Sequence, residues 1–300
     1  MEKLTMSWFH KMLFPPMCLL FVVLCFSCAE PNPGVFRTQQ EHPSEIFKAN
    51  FEGPSLEEAW LGGWQLPLQE RLFLKPDPLN TTNQIICMTV KPGDMVAKGS
   101  RSELIWNHLD PEGSERWISW KVYIPEDFPY AKTIRDDKGR PNWQIMGQWH
   151  DTPKEGEESS HSPPLAIQTV FIDKQDPNYA RSLSELKGIV GFDASWDKKK
   201  VFLLGHGAPP KGAAFWPATP GKWQTWLLHV KWSQKDDGFV QLWVDGKDIT
   251  KGKKMGKNMY NELPNYFKLG LYRNPDIDVT QTVCYDDLRY GPTRKDAETP

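Results

Sequence analysis

The chain has 300 residues, room for one large domain or two small ones. Its 36 Lys+Arg against 38 Asp+Glu create no overall basic field, which argues against nucleic acid as a main partner. The 14 Trp suit a carbohydrate-handling protein, because indole faces pack on sugar rings, although most are expected simply to fill the core.

At the N-terminus, Lys3, His10 and Lys11 precede an apolar run from Met17 to Phe26. The run has the length of a signal-peptide core and is too short to span a bilayer comfortably. The following LCFSCAEPNPG can be cut after Ala29, or before Cys28 to give a lipid-anchored bacterial envelope lipoprotein. The second cut is the favoured reading, and either one exports the protein as a lipoprotein or as a secreted or periplasmic chain. Residues 1–28 are therefore read as a signal peptide and the Pro-rich residues 29–45 as a linker. Residues 46–292 are read as the domain and 293–300 as a tail. A monomer is expected, touching membrane only through such an anchor.

Export changes the reading of the cysteines. Cys18, Cys25 and Cys28 lie in the leader, leaving Cys87 and Cys284 in the strand-like runs QIICMTV and TVCYDDL. An oxidising compartment permits a disulfide between them, and two buried thiols are the alternative. Neither lies near a Cys/His cluster, so no zinc site is read.

From about residue 46 the chain alternates strand-like runs with turns. The runs are RLFLK, QIICMTV, RSELIW, ERWISWKVYI, NWQIMGQWH, LAIQTVFI, KVFLLG, WQTWLLHVKW, GFVQLWVDG, YFKLGLY and TVCYDDLRYG. KPGD, PEGS, DDKGRP, ATPGK, KDDG and VDGKD punctuate them. SLEEAW and the NMYNEL region are the expected short helices. This spacing predicts an all-β fold, a two-sheet antiparallel jelly roll (a concanavalin-like sandwich) with one concave sheet forming a cleft. DTPKEGEESSHSPP is expected to be a loop at its rim.

Three strands carry polar groups where a core would not want them. Side chains alternate between faces along a strand. In GSRSELIW, Arg101, Glu103 and Ile105 therefore share a face. In NWQIMGQWHD, Gln144, Met146, Gln148 and His150 share one. In YFKLGLYR, Tyr266, Lys268, Gly270 and Tyr272 share one. Any one of these sets is ordinary for a half-solvated sheet. Three in one chain suggest a polar, aromatic groove.

RSEL, QWH and YFKLGLY, in that order, resemble the three signature strands of jelly-roll polysaccharide lyases, with alginate-lyase-like R-[ST]-E-L, Q-x-H and Y-F-K-x-G-x-Y patterns. The context GQWHD, PPLAIQ and KLGLYR looks closer to the heparin lyase I and glucuronan lyase branch, over residues 47–292. The resemblance implies β-elimination at a uronic acid in an acidic polysaccharide. Removing the C5 proton builds negative charge on the adjacent carboxyl group, which preorganised donors must meet. Arg101 and Gln148 are the candidates, since Arg holds a carboxylate in a fork. A base takes the proton and an acid protonates the leaving O4. The resemblance carries these roles to His150 and Tyr272. With proton and leaving oxygen on one ring face, Tyr272 alone can serve both; on opposite faces, His150 is the base and Tyr272 the acid. Lys268 is expected to act as the electrostatic neighbour of Tyr272. Gly270 is expected to leave a gap for the sugar, Tyr266 to line a subsite and Glu103 to orient Arg101.

No cofactor is required for this chemistry. A structural calcium ion is expected as an option, held by Glu52 and Asp286 near the first and last strands. Two other readings remain: a non-catalytic carbohydrate-binding module, and a jelly-roll glycoside hydrolase, for which no strand carries the paired carboxylates.

Overall fold

The computed structural model describes residues 34–37, 45–129, 143–156, 163–171, 186–192, 215–217 and 219–298. The expected signal peptide and the run KVFLLG lie outside these residues. In chain order the described strands are β1 (Val35–Arg37), β2 (Phe47–Ala49), β3 (Gly63–Leu66), β4 (Leu72–Asp77), β5 (Asn80–Val90), β6 (Ser100–Asp110), β7 (Glu115–Tyr123), β8 (Gln144–His150), β9 (Leu165–Phe171), β10 (Leu186–Phe192), β11 (Phe215–Pro217), β12 (Trp223–Lys231), β13 (Phe239–Val244), β14 (Lys247–Asp248), β15 (Lys254–Met255), β16 (Asn265–Arg273) and β17 (Gln281–Gly291).

One sheet runs β1-β3-β6-β16-β8-β9-β10-β11 and the other β14-β13-β12-β7-β17-β5-β4, with β15 added on β13 and β2 on β17. Every pairing is antiparallel, giving the expected jelly-roll sandwich. Alternate residues of the two sheets fill the space between them. Leu104, Trp106, Trp149, Phe267 and Leu269 come from the first sheet, and Ile118, Trp120, Trp226, Leu228 and Tyr285 from the second. Trp60, Trp106, Trp120, Trp149, Trp226 and Trp232 are fully buried. Each buries about 4–6 kcal/mol of transfer free energy, an upper value. Core filling is thus the role of these indoles.

Cys87 and Cys284 face each other across β5 and β17 and form a disulfide, deciding between the two alternatives. SLEEAW supplies helix α1 (Leu56–Ala59), capped by Ser55, whose hydroxyl accepts from Glu58 N. The NMYNEL region is not helical. Its asparagines bond the backbone of other segments instead: Asn258 holds Ser233 N and Lys231 O, and Asn261 holds Thr152 O. β1 lies within the expected linker and pairs with β3. The expected tail begins with helix α2 (Arg294–Ala297), closed by a capping box between Thr293 and Asp296 and tied to the sandwich by Ser119 Oγ donating to Ala297 O.

A bulge shapes the middle of the first sheet. The β16–β8 register shifts between Leu269 and Tyr272, and the β8–β9 register between Ile145 and Gly147. Tyr285 reaches across the core to it, its Oη 2.7 Å from Met146 O and 2.8 Å from Gly270 O. The bulge resets the alternation, so Met146 is buried in the core instead of sharing the face of Gln148 and His150.

Candidate active site

β6, β16 and β8 are neighbours, with β16 in the centre. The three polar strand faces therefore converge as expected. Register fixes who meets whom. Across β16–β6, Tyr272 pairs with Arg101 and Gly270 with Glu103. Across β16–β8, Lys268 pairs with Gln148 and Tyr266 with His150.

Glu103 is the hub. It is 1% exposed and accepts from Arg101 Nη1 at 3.4 Å and from Gln148 Nε2. Lys268 Nζ lies 3.9 Å from its Oε2 and donates to Gln65 Oε1 at 3.0 Å. Two cations around one carboxylate leave an excess positive charge, which suits an anionic ligand. Burial pushes the Lys268 ammonium down to about 8, against the opposing pull of Glu103. Glu103 thus holds one arm of the Arg101 guanidinium. Gln148 is fully buried, and its amide nitrogen donates to Glu103.

At one end of the cluster, the guanidinium carbon of Arg101 lies 3.8 Å from the centroid of the Tyr272 ring. Trp143 meets the same ring edge-on at 4.7 Å. Tyr272 remains partly exposed. Arg101 is therefore the cation packed on Tyr272. Lys268, expected in that place, lies 5.5 Å from the Tyr266 ring centroid. Gly270 is not a gap for the sugar either. A side chain there would collide with Ser102 O, and would sit 2.7 Å from Glu103 Cα and 2.8 Å from Met88 Sδ. Close packing at the bulge requires the glycine.

At the other end, His150 and Tyr266 are neighbours, with ring centroids 5.6 Å apart. His150 Nδ1 lies 3.0 Å from Asp151 O and 3.1 Å from Asp151 Oδ1, an arrangement that orients the ring and leaves Nε2 for a ligand. Burial pushes the Tyr266 phenol up to about 12, helped by Glu103 and Asp151, so it is a hydrogen-bond donor at neutral pH. His150 and Tyr272 do not face one another. Six residues of β16, roughly 15–20 Å of strand, separate Tyr272 from the partner of His150.

Gln65, Trp143 and Asp151 escaped the sequence reading. The Gln65 signal was weak, because β3 spans only Gly63–Leu66. Asp151 directly follows His150 in QWHD and could have been paired with it.

A polysaccharide lyase family profile matches residues 57–289. The chain belongs to the polysaccharide lyase family. Comparison with curated protein sequences finds no match. Among solved structures, this lyase is similar to the endo-β-1,4-glucuronan lyase of the fungus Trichoderma reesei, at 16% identity and TM-score 0.50, covering 75% of this chain and 88% of that one. It is also similar to alginate lyase Aly36B, at 10% identity and TM-score 0.53, covering 82% and 96%. A variant of that enzyme in complex with an alginate trisaccharide gives 11% identity and TM-score 0.54, covering 83% and 99%. At these identities the likeness is one of fold.

The expected calcium ligands lie away from the three strands, Asp286 on β17 and Glu52 beside β5. Glu52 Oε1 accepts from Gln84 N at 2.9 Å, and the Gln84 amide bonds the carbonyls of Phe51 and Gly53 at 3.0 and 2.7 Å. Asp286 accepts from Asn83 Nδ2 and Asp287 N. Among the described residues no group of three or more His, Cys, Asp or Glu gathers to hold a metal.

Proposed function

We propose that this lyase cleaves a uronate-containing polysaccharide by β-elimination, leaving a 4,5-unsaturated uronyl end. The observation that carries the reading is the packing of Arg101 on Tyr272, on a sheet face shared with Lys268, Tyr266 and His150. Arg101 receives the uronate carboxylate and stabilises the charge that grows on it. Tyr272, entering as the phenolate, takes the C5 proton. The C5 electron pair forms the C4–C5 double bond, and the C4–O4 bond breaks. O4 receives the proton from Tyr272, which restores the phenolate.

The separation of His150 from Tyr272 favours one tyrosine serving both atoms. That requires the C5 proton and O4 on one ring face, as in gluco- and manno-configured uronates. His150, oriented by Asp151, then lines a neighbouring subsite with Tyr266. The glucuronan and alginate lyases of similar fold act, by their names, on uronate polymers, which supports this substrate class. The Cys87–Cys284 disulfide supports an exported protein.

The test is a panel of glucuronan, mannuronate-rich and guluronate-rich alginate and heparin-type polymers, followed by ultraviolet absorbance of the new double bond. Absorbance is expected to rise on glucuronan or mannuronate-rich polymer. Silence on every uronate polymer would overturn the reading.

A further inference from the structure

The turn leading into β6 ends on a glycine whose missing side chain leaves its space to the Arg101–Tyr272 pair. Val96 N donates to Gly99 O and Gly99 N to Val96 O, both at 2.9 Å, closing a two-residue turn. Ala97 and Lys98 at its tip have φ of 47° and 59°, the left-handed pair that a tight hairpin of this hand demands. The loop is anchored behind the turn. Asp94 accepts from Arg71 Nε at 2.6 Å, Arg71 Nη2 at 3.1 Å and Lys91 N at 2.8 Å. Arg71 and Asp94 are both buried, so the base of the turn is rigidly held.

A methyl group at Gly99 would sit 2.5 Å from Arg101 Nη2, 2.9 Å from Arg101 Nε and 2.8 Å from Tyr272 Cε2. Gly99 is outside the left-handed region, so its backbone accepts alanine. Only the space beside Arg101 and Tyr272 demands glycine. The clash falls mostly on the far end of a flexible guanidinium, which would move while the fold stays.

We propose that Gly99 is a positioning residue. Through it, the anchored Val96–Gly99 turn acts as an end stop that sets how Arg101 stacks on Tyr272. The inference rests on the reading that Arg101 and Tyr272 act on the uronate.

Gly99→Ala is expected to lower kcat/KM on the polymer cleaved best by about tenfold to a hundredfold, the effect of a small misplacement, with the melting temperature nearly unchanged. In an Arg101→Lys background, which lacks both arginine nitrogens that the methyl would meet, Gly99→Ala is expected to cause much less further loss. Lys98→Gly alters the same turn without filling that space and is expected to keep wild-type kcat/KM. Tyr272→Phe is measured alongside. If Tyr272→Phe is inactive and Gly99→Ala has wild-type kcat/KM, the end-stop role is wrong while the site reading stands. A Gly99→Ala loss that multiplies fully with Arg101→Lys also overturns it. An active Tyr272→Phe removes the site reading and the inference together.

Discussion

The guanidinium of Arg101 lies over the ring of Tyr272, 3.8 Å from its centroid, while His150 faces Tyr266 near the other end of the same strand. On the proposed mechanism this asymmetry gives the two ends of the cluster different jobs. Tyr272→Phe keeps the ring that Arg101 packs on and removes only the hydroxyl. Its kcat should fall roughly 10²–10⁴-fold with binding of oligouronates preserved. His150→Ala should weaken binding more than it lowers kcat, as a subsite residue does. Steady-state kinetics that reverse this pattern would restore His150 as the base.

Lys268 gives the site a pH dependence with a defined sign. Its folded-state pKa, about 8, lies below the ordinary lysine value because burial disfavours the ammonium. Between about pH 8 and 10.5 the unfolded chain binds the proton that the folded chain has released, so this residue's contribution to stability rises with pH across that window. Substrate binding should move the other way, with KM climbing above pH 8 as the positive charge is lost. Lys268→Met should raise KM at pH 7 and flatten that climb. A KM profile identical to wild type would show that Lys268 contributes no charge to the substrate.

Asp286 allows a second sign test away from the cleft. Burial, with Asp287 adding to it, pushes its carboxyl up to about 6. The unfolded chain therefore ionises first, and stability from this group is lost as pH rises from about 4 to 6. Asp286→Asn should raise the melting temperature at pH 7 and change it little at pH 3.5. Chelator should leave the wild-type melting temperature unchanged. A fall in chelator that Asp286→Asn abolishes would place a cation at this corner.

The Cys87–Cys284 bridge closes a sequence separation of 197 residues between adjacent strands of one sheet. On the chain-entropy account, removing it should cost roughly 5 kcal/mol. Cys87→Ala with Cys284→Ala, compared with wild type by chemical denaturation, measures the loss. Because both cysteines are fully buried, reductant alone should act slowly on the folded protein.

Tyr285 ties the two sheets together at the bulge, so Tyr285→Phe leaves Met146 O and Gly270 O without that donor. The expected loss is about 1–3 kcal/mol. A smaller loss of kcat should accompany it, because Gly270 stands between Lys268 and Tyr272 on β16.

The sequence by itself determined the all-β architecture and the polar faces of the three strands, because side-chain alternation and turn chemistry are local. It also supplied Arg101, Glu103, Gln148, His150, Lys268 and Tyr272 as the chemistry-bearing set. Only the tertiary structure decided their pairing. Which cation packs on Tyr272, and how far His150 lies from it, depend on the register between strands about 120 to 170 residues apart. The bulge at Met146 and Gly270 resets that register, and Tyr285 from the opposite sheet holds it. Gly99 and Gln65 acquire meaning for the same reason: each acts through a neighbour's side chain, and packing across the sheet brings those neighbours together.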